Sequence, residues 1–494
     1  MIASRRARLR CAAAFALLLG ALPASAAELA VPTESGAPWT SAQVARLRAE
    51  LDAAFAQEPA VRGAHVGLLA VDTATGAVLY ARNADDAFQP ASTLKLLVGS
   101  AALDRLGPQY RFRTVLAAGS GGAALIGGGD PLLTSGDLDA AATALVASGA
   151  APSGPLAVDD GRYESAPYPA GWTWDDFAYD YAVPVSALTV DENVVHLTYG
   201  ASDGGIVPLS DPALTGLSQL ACPGRAALAR NLARVGPAGS EDSLDTQTVA
   251  PDCAVLTGSL PDGGKTALDV AVRDPAAAAF TRLTGALRAR GLAATPAPDV
   301  VVTHAGAAPA GSSVVWSHDS PPLGAWLGPR FWIPSDNLFA ELLLRELAYA
   351  GGTRPGSADA GLAVERAWLR SIGVDPASTT LADGCGMSQY DRITPRDLVA
   401  ILQHDWHGPN RQLVLDSLPV GGARGTIEGI AGTPAAGRVF AKTGSMMHVR
   451  GLAGFVAGRT HGAVTFAFNV DDWIGEYPAL AAFRARVVSR LAGE

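Results

Sequence analysis

Lysine is almost missing from this chain. Of its 37 basic residues only Lys95, Lys265 and Lys442 are lysine, and the rest are arginine. Arginine stays protonated at any working pH, whereas a desolvated lysine can lose its proton and act as a base. A chain this poor in lysine is therefore expected to keep it where arginine fails. A codon bias toward arginine explains the scarcity but not the placement. Cysteine is sparse too, at four residues in 494, which excludes a disulfide-dense scaffold. Charged residues make up 17% and the net charge is −10, so a nucleic-acid partner is not expected, nor is a disordered polyelectrolyte. Past the N-terminus no apolar run is long enough to cross a bilayer, so no stable membrane span is expected.

What is present begins with a leader. Arg5, Arg6, Arg8 and Arg10 precede the apolar run Ala12 to Leu22, and Ala24-Ser25-Ala26 has the small-x-small form of a signal-peptidase site. Residues 1–26 therefore read as a signal peptide, and the protein as exported, periplasmic or secreted. Ser4-Arg5-Arg6 hints at a twin-arginine signal, but Arg8 stands at its favoured aromatic position, so ordinary secretion is the default. Cleavage removes four arginines and no acid, taking −10 to −14. It also removes Cys11, leaving Cys222, Cys253 and Cys385 in an oxidising compartment. Cys222 and Cys253, 31 residues apart, are the natural pair, worth about 3 to 4 kcal/mol by loop entropy. Cys385 is then free.

Length alone points to two or three domains. Lys95 lies in Ser92-Thr93-Leu94-Lys95, at the start of an apolar-periodic segment running to about Leu106 and preceded by the strand-like runs His65 to Asp72 and Ala77 to Arg82. On a helix Ser92 and Lys95 share one face. A serine at a helix start is also where developing negative charge is favoured, although an N-cap serine is the plainer alternative. Lys442 lies in Lys442-Thr443-Gly444-Ser445, after Val439-Phe440-Ala441 and before the strand-like Leu452 to Val456 and Val464 to Val470. A C-terminal helix, Pro478 to Leu491, closes this antiparallel series. Chance copies of Lys-Thr-Gly number only about 0.02, so this triplet carries more weight than Ser-x-x-Lys. Between them Ser335-Asp336-Asn337 leads into the amphipathic segment Leu338 to Ala350, and by itself reads as an N-cap. Lys265, in Gly263-Gly264-Lys265-Thr266, is no phosphate loop, because Gly258 stands one residue too far away and Pro261-Asp262 suggests a turn. His404 and His407 have helical spacing but no accompanying acid-base motif, so no metal site is expected.

Ser-x-x-Lys, Ser-Asp-Asn and Lys-Thr-Gly in this order resemble the motif set of penicillin-binding proteins and class A β-lactamases. Within that set the chain is similar to the D-alanyl-D-alanine carboxypeptidase/endopeptidase family, the low-molecular-mass class C penicillin-binding proteins. Gly171-Trp172-Thr173-Trp174-Asp175-Asp176, Ala382-Asp383-Gly384-Cys385-Gly386-Met387-Ser388 and Leu452-Ala453-Gly454-Phe455 extend the likeness over nearly the whole mature chain. The first two motifs are 243 residues apart and the last two only 107, so a large insertion is expected after the first. The fold class expected is mixed α/β, of the α+β kind. A β-lactamase/transpeptidase-like catalytic domain, with an antiparallel sheet flanked by helices, would come from residues 27–111 and 301–494. Residues 112–300 would form the insertion, which the resemblance implies is two domains, one nested in the other.

The resemblance implies serine-type hydrolysis of the bond between two D-alanines in peptidoglycan stem peptides, with β-lactams as acylating mimics and no cofactor. Ser92 would attack. Lys95, desolvated and facing Lys442, would take its proton, Ser335 would pass a proton to the leaving nitrogen, and Asn337 would hold Lys95 and the substrate amide. The N–H groups of Ser92 and Ser445 would form the oxyanion hole, with Gly444 in the strand that pairs to the substrate. Lys442, Thr443 and Ser445 would attract the terminal carboxylate. Asp176 would meet a cationic stem-peptide side chain and Met446 would wall its pocket, with a solvated loop acid and a core methionine as the alternatives. The family usually has serine where Cys385 stands. With no histidine near it in sequence, Cys385 is not the nucleophile. A β-lactamase or esterase on the same scaffold, or a catalytically silent peptidoglycan-binding protein, are the other readings. The chain has no Glu-x-x-Leu-Asn segment of the kind an efficient lactamase uses for deacylation.

Overall fold

The computed structural model describes residues 29–149, 155–202, 204–222, 224, 231–292, 301–303, 308, 310–427 and 429–493. The expected leader, residues 1–26, lies outside them. The chain divides into two compact units. Among the described residues, one comprises Arg111–Ser320 with Gly352–Ser357; the other comprises residues 29–110, Pro321–Gly351 and the chain from Ala358 on.

The second unit carries all three motifs. Its sheet is built from β1 (His65–Asp72), β2 (Val78–Arg82), β3 (Val439–Met446), β4 (Val449–Val456) and β5 (Val464–Asp471), in the order β3-β4-β5-β1-β2. Every neighbouring pair is antiparallel. Strands β1, β4 and β5 are buried along nearly their whole length because helices cover both faces, which is why they read as continuous apolar runs. On one face, Leu47, Leu51 and Phe55 of α1 (Ser41–Gln57) and Leu480, Phe483 and Val487 of α6 (Tyr477–Leu491) pack on Val66, Leu68, Phe466 and Phe468. Each such side chain contributes about 1.5–3 kcal/mol relative to exposure. On the other face lie α2 (Lys95–Arg105) and α5 (Pro395–His407). Gly67 of β1 admits the Phe88 ring and Pro395 where a Cβ would clash, at 2.5 and 2.9 Å. Trp406 of α5 packs on Phe455 of β4, ring centroids 5.2 Å apart. Helices α3 (Asn337–Ala350) and α4 (Ala358–Ser371) complete the unit. Two of these helix starts show side-chain caps: Asp336 accepts from the Phe339 N–H at 3.1 Å, and Thr394 and Asp397 form a reciprocal box ahead of α5.

The first unit has two cores of its own. A five-stranded sheet runs in the order Val301–Thr303, Leu156–Asp159, Gly122–Ile126, Arg113–Gly119, Ser313–Asp319. Helices Ser135–Ala147 and Pro275–Ala289 pack on it through Leu138, Leu145, Phe280 and Leu283. Nested in sequence between Leu156–Asp159 and Pro275–Ala289 is a second core, around Leu197, Tyr199, Leu244, Leu260 and Val270. Cys222 and Cys253 are joined by a disulfide, leaving Cys385 free and buried. The unit runs to Ser320, beyond the boundary at 300 that the sequence suggested, because Ser313–Asp319 pairs antiparallel with Arg113–Gly119. Lys265 is exposed at the start of strand Lys265–Ala271, a place unlike a phosphate loop, and His404 meets Asp104 at 2.7 Å.

Candidate active site

Ser92 does not cap a helix. It lies in the tight turn Ala91–Leu94, which runs straight into α2, so Ser92 and Lys95 fall on one face. Lys95 is fully buried, and its three donors are all used: to Ser92 Oγ at 2.7 Å, Asn337 Oδ1 at 2.7 Å and the Cys385 carbonyl at 2.9 Å. The Lys95 carbonyl in turn accepts from Trp332 Nε1 at 2.9 Å, and the same indole fills the space beside Gly99 one turn along α2.

Trp332 belongs to a widened helical turn, Leu327–Trp332, where bonds span five residues: Ile333 N–H to the Gly328 carbonyl at 3.0 Å and Asp336 N–H to the Phe331 carbonyl at 3.1 Å. That turn delivers Ser335 with φ at 69°, a backbone state that costs a non-glycine residue about 1–3 kcal/mol. Ser335 Oγ accepts from Lys442 Nζ at 2.8 Å. Lys442, fully buried in β3, also donates to the Thr443 carbonyl at 2.9 Å. So a serine–lysine pair from the first motif and another from the second and third lie in one compact unit.

Burial is the first cause acting on both lysines. It lowers the Lys95 ammonium from its ordinary value, while Cys385, Asp383, Asp336 and Glu341 pull it back up. Lys442 is pushed well below its ordinary value, by burial and then by the charge of Lys95. The expected repulsion thus acts most on Lys442, which has no carboxylate to offset it.

The strand β3 is pressed against the nucleophile turn. A Cβ on Gly444 would come within 2.5 Å of the Pro90 carbonyl and 3.1 Å of the Thr93 nitrogen, so only glycine fits. Thr443 Oγ1 lies 2.5 Å from Thr426 Oγ1, and Ser445 is exposed near the strand end. Met446 Sδ accepts from Gln89 Nε2 at 3.6 Å. Asp176 lies outside the unit that carries the three motifs. It belongs to the other unit, where Thr173 and Tyr181 donate to its carboxylate at 2.5 and 2.8 Å.

Sequence reasoning missed Thr426, Gln89 and the carbonyl of Cys385. A backbone acceptor leaves no residue-type signal, and a lone threonine leaves little. Cys385 itself is buried, its thiol donating to Asp383 at 3.4 Å, and burial pushes it well above its ordinary range. Glu341, Asp383 and Cys385 bring ligand-type atoms within 4.8 Å of one another. Backbone N–H groups of the 384–388 loop occupy both carboxylates, so a metal ion is a poor fit there.

The D-Ala-D-Ala carboxypeptidase 3 (S13) family matches residues 47–492. The chain belongs to this family. A D-alanyl-D-alanine carboxypeptidase of Actinomadura sp. (strain R39) is 34% identical, over 96% of this chain and 88% of its own. The carboxypeptidase DacB of Haemophilus influenzae is 25% identical, over 83% and 86%. In fold, the family member resembles the crystal structure of penicillin binding protein 4 from Haemophilus influenzae, with a TM-score of 0.74 at 23% identity, covering 90% of this chain and 99% of that one. This S13 chain is thus a serine-type D-Ala-D-Ala carboxypeptidase with the mixed α/β fold expected.

Proposed function

We propose that Ser92 is the nucleophile of this carboxypeptidase, acting on the D-alanyl-D-alanine bond of peptidoglycan stem peptides, with Lys95 as its base. The observation that carries this reading is the 2.7 Å contact between Lys95 Nζ and Ser92 Oγ, made by a lysine held away from water. Lys95 in its neutral form accepts the serine proton as Oγ attacks the carbonyl. Ser335, in contact with Lys442 at 2.8 Å, returns a proton to the leaving D-alanine nitrogen. Asn337 fixes the Lys95 amine. The hydroxyls of Thr443 and Ser445 are the groups proposed to receive the terminal carboxylate, with Lys442 attracting it from the same strand. Water then releases the acyl group. Penicillin binding protein 4 from Haemophilus influenzae has a crystal structure in complex with a β-lactam, which supports acylation of Ser92 by the same class of mimic.

We infer that the chain works outside the cytoplasm. Its substrate lies there, residues 1–26 have the form of a signal peptide, and no helix among the described residues is long and apolar enough to cross a membrane.

Ser92→Ala tests the nucleophile. The variant should lose both covalent labelling by a fluorescent penicillin and release of D-alanine from a stem pentapeptide. Turnover at the parent's rate would remove this mechanism.

A further inference from the structure

Helix α3 bears on Lys95 once directly and once through a loop. Asn337, at its first position, accepts from the Lys95 ammonium directly. Glu341, one turn further and on the same face, does not touch Lys95. Its Oε1 instead accepts from the backbone N–H groups of Gly384 and Cys385, at 2.8 and 3.1 Å. The carbonyl of that same Cys385 accepts from Lys95 Nζ at 2.9 Å. Asp383 fixes the rest of the loop, accepting from the Gly386 N–H at 2.6 Å and the Ser388 N–H at 2.7 Å. Arg345, one turn beyond Glu341, closes the far side at 3.2 Å from Oε2. Glu341, Asp383, Arg345 and Cys385 are all buried, so these bonds form without competing water.

We propose that Glu341 is a positioning residue for acylation: its carboxylate holds the Gly384–Cys385 peptides so that the Cys385 carbonyl completes the acceptor set of Lys95. This rests on Lys95 being the base. A neutral acceptor could aim the loop, but a carboxylate does two things at once. It orients the peptide, and its charge acts on Lys95 across that peptide. The charged or titratable groups around Lys95 are Asp336, Glu341, Asp383 and Cys385, with Lys442 on the sheet side; Glu341 itself also faces Arg345 and Glu365. The Glu341 carboxylate raises the lysine's affinity for its proton. Burial pushes the carboxyl's own pKa up to about 7, so its charge is fully present above that pH.

Two variants separate reach from charge. Glu341→Gln keeps the acceptor oxygen and loses the charge, whereas Glu341→Asp keeps the charge and withdraws the oxygen by one methylene. The readout is the rate of Ser92 acylation by a chromogenic penicillin on the full chain, between pH 6 and pH 10. Without the carboxylate, Lys95 gives up its proton more easily, so the acid limb of the Gln variant should move down by about 0.5 to 1 pH unit. The Asp variant should keep the parent's limb and lose about 100-fold in plateau rate, the cost of a displaced base. An unmoved limb in the Gln variant, or a parent-like plateau in the Asp variant, overturns the proposal. Failure of the Lys95 reading itself would look different: Lys95→Arg would acylate at the parent's rate.

Discussion

The two compact units bury polar groups for different ends. Among the described residues, the inserted unit buries hydroxyls and amides, such as Thr114, Thr189, Asn193 and Thr284, with Asp130 and Asp159 as its buried acids and no buried lysine or arginine. The catalytic unit buries Lys95, Lys442, Arg345, Glu341, Asp383, Asp391 and Glu365, in addition to its apolar core. Burying a charge costs several kcal/mol unless it is paired and hydrogen-bonded. A fold accumulates such groups where their altered protonation is used. Part of the catalytic unit's share is structural, as where Asp397 caps α5, but Lys95, Lys442, Glu341 and Asp383 gather around Ser92 and Ser335.

The largest effect that sharpens this contrast comes from a residue with no side chain. In Gly444→Ala the new methyl has nowhere to go between the Pro90 carbonyl and Thr93, so β3 must move away from the turn that carries Ser92. A displacement near 1 Å costs about 100-fold in a positioned reaction. Acylation of Ser92 should fall by about that factor while the circular dichroism spectrum stays that of the parent. A parent-like rate would mean that the strand and the turn need not touch.

Much of the catalytic unit was readable before any coordinates. Apolar periodicity marks strands at His65 to Asp72, Leu452 to Val456 and Val464 to Val470, where the structure has His65–Asp72, Val449–Val456 and Val464–Asp471, and it marks the helix that ends at Leu491. The lysines of the first and third motifs stand out because lysine is rare in this chain, whereas the serines stand out only through the motifs that hold them. The N-cap alternative for Ser92 arises because a tight turn and a helix start share a composition. The strained backbone of Ser335 and the Cys385 carbonyl were not readable at all, because backbone angles and acceptors belong to no residue type. Glu341 could have been found, standing between Asn337 and Arg345 at four-residue spacing on a helix that is otherwise mostly apolar. The end of the inserted unit was missed because a strand pairs by register with one about 200 residues earlier, which periodicity cannot see.

A smaller effect tests the other side of the comparison. Replacing Cys222 and Cys253 by serine opens a loop of 31 residues, worth about 3 to 4 kcal/mol on loop entropy. Thermal unfolding should then show the inserted unit melting earlier while the catalytic unit, with its own core, keeps its transition. Acylation of Ser92 by a small penicillin at 25 °C, a group that needs only the catalytic unit, should not change. A single cooperative transition that moves as a whole would break the division into two independent cores.

The smallest effect concerns Cys385. What the site uses of this residue is its carbonyl and its N–H, which face Lys95 and Glu341, and neither depends on the side chain. The thiol is buried against Asp383, and burial with the nearby acids keeps it protonated, so the nucleophilic thiolate is scarce. Native protein should therefore resist iodoacetamide, and the same reagent should label it fully after denaturation. Cys385→Ser places a stronger donor toward the same carboxylate in slightly less volume, two changes of opposite sign and about 1 kcal/mol each. Acylation should stay within about threefold of the parent, because the peptide that meets Lys95 is unchanged. A loss of 100-fold would mean that the thiol itself sets the loop, and would move the positioning role from Glu341 to residue 385.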